Sequence, residues 1–229
     1  MFHLLYIIFR YFLLISANRQ SLRRISAKIN IPKKFKETMK MIEDHSPPLS
    51  LLTRFLHWSV ALLMIGLTLL GYLMVKLEIW ALYPLHKSLG VVALLLVVPR
   101  AIVRLGEGWP TPVRQYSRYE ALAAKIIHWG LLISTLLIPI SGICYSGVAG
   151  RGVALFGWFI IPMNPDSNDP ENVIPYSESL SDITHSAHVY LPYIMLAFVL
   201  IHIVGAVKHH LLDKDKTLMR MLGRTSPER

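Results

Sequence analysis

Residues Ile183 to Leu212 read ITHSAHVYLPYIMLAFVLIHIVGAVKHHLL, a run long and apolar enough to cross a bilayer as a helix. Within it, His188 and His202 stand fourteen residues apart. After fourteen residues a helix has come back to within about 40° of its starting azimuth and has risen roughly 21 Å. The segment therefore predicts one helix carrying two imidazoles on one stripe, near opposite faces of the membrane. A protonated imidazole is costly in hydrocarbon and a neutral one needs a partner, so such histidines mark candidate functional sites. Imidazole is also a common axial ligand of haem iron. If each ring holds an iron, two more histidines must approach from other helices.

Composition agrees with a membrane setting. Of 229 residues, 53% are hydrophobic, far from the balance of an ordinary soluble domain. The formal charge of +10 would suit nucleic acid, but the basic residues lie between the apolar runs, where they orient a membrane protein and meet anionic lipid. Nucleic acid is therefore not an expected partner. Cys144 is the single cysteine, which excludes an internal disulfide, a thiolate cluster and the Cys-x-x-Cys-His signature of covalently attached haem. Any haem here is of the b type, held by side-chain ligands and packing.

The chain is expected to be all-α, an integral membrane four-helix bundle. Residues 1–46 form a basic N-terminal extension whose apolar run, Met1 to Ser16, is shorter than a bilayer requires. It is expected to be a loosely held helix or to precede the real start at Met39 or Met41, and His3 and His45 receive no role. The core covers 47–222 and residues 223–229 form a tail. Pro47-Pro48 introduces a first crossing over Leu49 to Val75, with Arg54, His57 and Trp58 near its start. Leu85 to Leu105 is the second, opening with His86-Lys87 and ending with Arg100 and Arg104. Tyr119 to Tyr145 is the third and contains His128. The connection from Gly147 to Asp182 carries Asp166, Asp169, Glu171, Glu178 and Asp182 against Arg151, and is expected to be loop with a short interfacial helix around Leu155 to Ile161. Gly66 and Gly71 suit a close neighbour or a flat ligand, Gly90, Gly130, Gly142 and Gly205 suit close helix packing, and Met64, Met74 and Met195 suit packing.

Basic residues cluster before the first crossing, in the loop with Arg114 and Arg118, and after the fourth at Lys208, Lys214, Lys216, Arg220 and Arg224. The positive-inside rule then predicts cytoplasmic termini and an outer acidic loop. Depth sorts the candidate iron ligands into His57 with His202 on the cytoplasmic side and His86 with His188 on the outer side. Iron held by two imidazoles has no vacant position, which suits electron transfer rather than oxygen binding. Arg100 follows His86 by fourteen residues, one inter-haem distance deeper on the same stripe, where a propionate of the inner haem would be its counter-ion. Arg54 and Lys87 suit the inner and outer propionates in the same way. The plainer reading is that these cations snorkel to the interface, as a single histidine at a helix end commonly does. His128 competes for the inner site. His209, only about 10 Å beyond His202, is too near for a second macrocycle and suits a quinone or proton role with His128. His185 and His210 lie off the stripe.

The stretches Arg54-Phe-Leu-His57-Trp58, His86-Lys-Ser-Leu-Gly90, Ile126-Ile-His128 through Pro139-Ile-Ser-Gly142, and His188-x13-His202-x6-His209-His210 resemble the bacterial cytochrome b561 family over about Leu49 to Leu222. The resemblance implies a bundle with two b haems whose ligands match His57, His86, His188 and His202. It implies electron transfer between an outer-face donor and ubiquinone in the bacterial inner membrane, with superoxide as a donor in some members. The same likeness extends to cytochrome b anchor subunits of nickel-iron hydrogenases and formate dehydrogenases. A proton or metal transporter using intramembrane histidines is the alternative from another class, and it predicts colourless protein. Lipid, quinone, an extrinsic donor and a second copy of the chain, as a homodimer, are the expected partners.

Overall fold

The computed structural model describes residues 49–108, 116–214 and 217–223. The expectations for residues 1–46, Pro47-Pro48, Arg114, Lys216 and Arg224 lie outside them. Four helices long and apolar enough to cross a membrane form the bundle: α1 (Leu51–Lys76), α2 (Tyr83–Glu107), α3 (Arg118–Val148) and α4 (Glu178–Leu211). A short helix, α5 (Thr217–Leu222), follows. Each predicted crossing is present, and α4 begins five residues earlier than its apolar stretch suggested. Ser177 explains the early start, because its side chain accepts from Leu180 N–H and caps the helix. Asp182 and Glu178 thus belong to the helix rather than to the loop. Ser117 and Glu120 form a reciprocal capping box at the start of α3, and Ser50 caps α1.

The interfacial helix expected around Leu155 to Ile161 is replaced by a β-hairpin, β1 (Val153–Leu155) paired antiparallel with β2 (Trp158–Ile161). The residues are mostly aromatic or β-branched, which favours strand. Phe156 and Gly157 form the two-residue turn with φ of 47° and 96°, the positive values that match the twist of a tight hairpin.

The helices do not pack evenly. α3 and α4 share the most extensive contact, followed by α1 with α2 and then α2 with α3, whereas α4 makes few close backbone approaches to α1 or α2. Gly130 allows the intimate α3–α4 contact: a Cβ there would stand 2.6 Å from the Phe198 ring. One buried cluster joins all four helices, made of Val60, Met64 and Leu67 with Ala93, Val97, Ile138 and Met195. Met195 is 1% exposed and is the buried apolar residue of α4. It lies seven residues from both His188 and His202, so the cluster forms a layer between the two histidine levels.

Packing inside a bilayer relies on dispersion rather than on removal from water, and a void at this layer loses those contacts outright. Met195→Ala is expected to destabilise the bundle by about 2 kcal/mol, and Met195→Leu by less than about 1.5 kcal/mol. Thermal unfolding of both variants in one detergent checks the ordering.

Candidate functional site

The structure brings the four stripe histidines together as two facing pairs. His57 on α1 faces His202 on α4 with ring centroids 6.4 Å apart. His86 on α2 faces His188 on α4 at 6.1 Å. The pairs bridge the helices whose backbones stay apart. Two imidazoles gripping one metal ion from opposite sides, with bonds of about 2 Å, place their centroids roughly 6 Å apart. Both pairs have this spacing.

His188 is oriented by its surroundings. Its Nδ1 lies 3.0 Å from the Ile138 carbonyl and 3.3 Å from Ser141 Oγ. A carbonyl only accepts, so Nδ1 carries the hydrogen and Nε2 keeps its lone pair for a ligand. Ser141 Oγ also donates to the Ile138 carbonyl at 2.8 Å. The opposite ring, His86, has a buried Nδ1 with no hydrogen-bond partner among the described residues. Both rings rest on glycines. A Cβ at Gly142 would stand 2.6 Å from His188 Cε1, and one at Gly71 would stand 3.1 Å from His86 Cε1.

The other level holds a third ring. His128 on α3 lies 5.3 Å from His202, nearer than His57 does. Depth alone had made it a competitor, and the geometry keeps it beside that pair. Arg100 Nη2 is 3.4 Å from His57 Nδ1. Arginine only donates, so in this contact His57 Nδ1 accepts. Among the described residues no carboxylate reaches Arg100. Arg54 is folded beneath Gly223, and its buried Nε has no hydrogen-bond partner among the described residues. Thr53, Leu56, His57, Arg100, Val103, Arg104 and Met221 line a small pocket there. Trp58 Nε1 donates to the Met221 carbonyl at 3.2 Å, which holds α5 against this end of the bundle.

Other singled-out residues are engaged differently from the sequence reading. Lys87 Nζ donates to the Arg151 and Gly152 carbonyls at 3.3 and 3.2 Å. His209 Nδ1 meets Asp213 Oδ2 at 2.8 Å and its ring lies 4.7 Å from Tyr116. Lys208 bridges Glu120 and Asp213, tying the end of α4 to the start of α3. His185 is exposed and lies against Tyr145 at 4.7 Å. His210 Nδ1 is buried and has no hydrogen-bond partner among the described residues. Sequence reasoning missed the roles of Ser88, Ser141 and the Ile138 carbonyl. Ser88 lies two residues after His86, whereas Ser141 is far from any histidine in sequence and a backbone acceptor leaves no mark there.

The profile of the prokaryotic cytochrome b561 family matches residues 49–224. The chain belongs to that family. It is 31% identical to cytochrome b561 homolog 2 of Escherichia coli over 177 residues, covering 75% of this chain and 89% of that protein. It is 27% identical to the probable superoxide oxidase CybB of Yersinia pestis over 171 residues, 73% of this chain and 91% of that one. Cytochrome b561 homolog 1 of Escherichia coli is also 27% identical, over 181 residues, 74% of this chain and 94% of its own length. The protein is thus a bacterial membrane b-type cytochrome of electron transfer.

The residues present fit a b-type haem. Paired imidazoles at ligand spacing, the tautomer set at His188, the unpartnered His86 Nδ1 and glycines beneath two rings all suit a flat macrocycle with axial nitrogens. Gly142→Ala must displace His188, whereas Gly71→Ala asks a few tenths of an ångström of His86. A pyridine haemochrome assay is expected to show a larger loss of bound haem for Gly142→Ala than for Gly71→Ala.

Proposed function

We propose that this cytochrome moves electrons across the membrane between a donor at the outer face and the quinone pool through two b haems. His57 and His202 hold one, and His86 and His188 hold the other. The observation that carries the reading is the repetition of one imidazole-pair spacing, 6.4 and 6.1 Å, at two levels of a single helix. A haem with two imidazole ligands supplies one-electron transfer without a position for oxygen to bind.

The protein's own groups set the conditions for that chemistry. The Ile138 carbonyl holds the His188 ring and makes it a better donor through the hydrogen bond at Nδ1. The buried layer around Met195 keeps water out of the space between the levels. Arg100 places a cation beside His57 with no carboxylate among the described residues to neutralise it, and a propionate would be its counter-ion. When Nε2 of His57 binds metal, Nδ1 bears the hydrogen, so Arg100 must leave Nδ1 for that anion. Arg54 offers a second cation at the same end. By the positive-inside rule this is the cytoplasmic end, and the hairpin end faces outward. The name of the Yersinia relative supports superoxide as donor. It gives up one electron to become dioxygen, and ubiquinone takes up electrons with protons.

Purified protein is expected to bind two haems per chain. Alanine at any one of His57, His86, His188 or His202 should lower that count to about one or below, read by pyridine haemochrome. Full haem content in all four variants would overturn the assignment. Reduction by a small one-electron donor in the absence of any other polypeptide marks a free-standing cytochrome, and reduction that requires an extrinsic subunit marks a dehydrogenase anchor.

Arg100→Gln removes a cation that favours the reduced, more electron-rich haem. The midpoint potential of one haem should fall by tens of millivolts while the other stays in place, and Arg100→Lys should restore most of the difference. Redox titration of the two variants checks this.

A further inference from the structure

The hairpin after α3 has the composition of a membrane-buried element. Gly152 to Pro165 contains fourteen consecutive residues without a charge, a length typical of interfacial or re-entrant segments. Its apolar side chains are turned outward: Phe156 is 64% exposed, Trp158 84%, Phe159 62% and Ile160 56%. A hairpin facing water on one side ordinarily carries polar residues there. Here Val153 is 2% exposed on the inner side, and the outer side is equally apolar.

The backbone is prepared for a dry setting. Ser88 Oγ accepts from Phe156 N–H at 2.9 Å and lies 3.2 Å from the Ala154 carbonyl. Lys87 occupies the Arg151 and Gly152 carbonyls. The β1 edge therefore has its polar groups satisfied without water, the condition for peptide groups near hydrocarbon, and it is closed to an added strand. The turn points the same way. Phe156 adopts φ of 47°, a left-handed conformation that disfavours a bulky aromatic and that Asn or Gly fills at lower cost. An aromatic retained there is explained when the tip itself is buried in something apolar.

Depth identifies that surrounding. Ser88 is in the second turn of α2, just below Trp80, which is 62% exposed and stacks on Tyr83 at 5.6 Å. An exposed tryptophan stacked on a half-buried tyrosine at a helix end is the pattern of the membrane interface. The hairpin is thus pinned to the bundle at the level of these aromatics, and its residues 152–165 carry no charge to match a protein partner.

We infer that Phe156, Trp158, Phe159 and Ile160 form an interfacial anchor inserted into the leaflet at the His86–His188 end of the bundle, with lipid as its occupant. The adjacent Lys87 and Ser88 link this anchor to the helix that carries His86.

The test uses the full-length holoprotein in phosphatidylcholine–phosphatidylglycerol nanodiscs, with Cys144→Ser removing the native thiol. Nitroxides are attached at Trp158→Cys and Phe159→Cys, and at Asn168→Cys as an aqueous control. Electron paramagnetic resonance measures collisions with oxygen, which partitions into the bilayer, and with a water-soluble nickel chelate. The ratio of oxygen to nickel accessibility at 158 and 159 is expected to exceed that at 168 several-fold. An equal ratio at both positions would place the hairpin in water. Exclusion of both reagents at both positions would show that protein covers it, a second copy or a partner. Either result overturns the proposal.

Discussion

The bundle is governed by the way α4 is attached. It packs along α3, and toward α1 and α2 it reaches with side chains rather than backbone. Three of its residues make that reach: His188, Met195 and His202. They recur every seven residues, which brings a helix round to nearly the same face. An apolar layer in the middle and an imidazole at each end follow from this spacing. The helix that supplies both imidazoles is also the one that buries least of itself in protein, which suits a helix whose inward face meets macrocycles.

The two histidine levels are built differently around the same pair motif. At the hairpin end, a carbonyl on α3 fixes one ring and glycines flatten the floor beneath both. At the α5 end, a third imidazole and an arginine with no carboxylate partner among the described residues surround the pair. The second environment sets a guanidinium directly against a ring of its pair, whereas Lys87 at the first reaches backbone carbonyls instead. A positive surround favours the reduced state of an iron centre, so a haem held at the second level would be the more easily reduced.

Much of this was legible in the primary structure because hydropathy and the helical period act on it directly. The four crossings, the two depths and the pairing of His57 with His202 and His86 with His188 all follow from residue spacing along straight rods. The hairpin was misread because Leu155 to Ile161 is an apolar run too short for periodicity to separate helix from strand. Its Phe156-Gly157 turn lacks the usual Asn-Gly signal. The place of His128 could not be resolved by depth, since depth carries no information on which neighbours a helix packs against. Ile138 escaped because its contribution is a main-chain oxygen, present at every position and informative only in three dimensions.

The clasp of Lys208 with Glu120 and Asp213 and the close passage of Phe198 over Gly130 join α3 to α4, while Thr53 Oγ1 joins α1 to α2 through Glu107 at 2.9 Å. α1 and α2 form a local hairpin closed by the short connection 77–82, whereas α3 and α4 are joined through the longer connection 149–177 that holds β1 and β2. A haem at either imidazole level would bridge the α1–α2 pair to the α3–α4 pair.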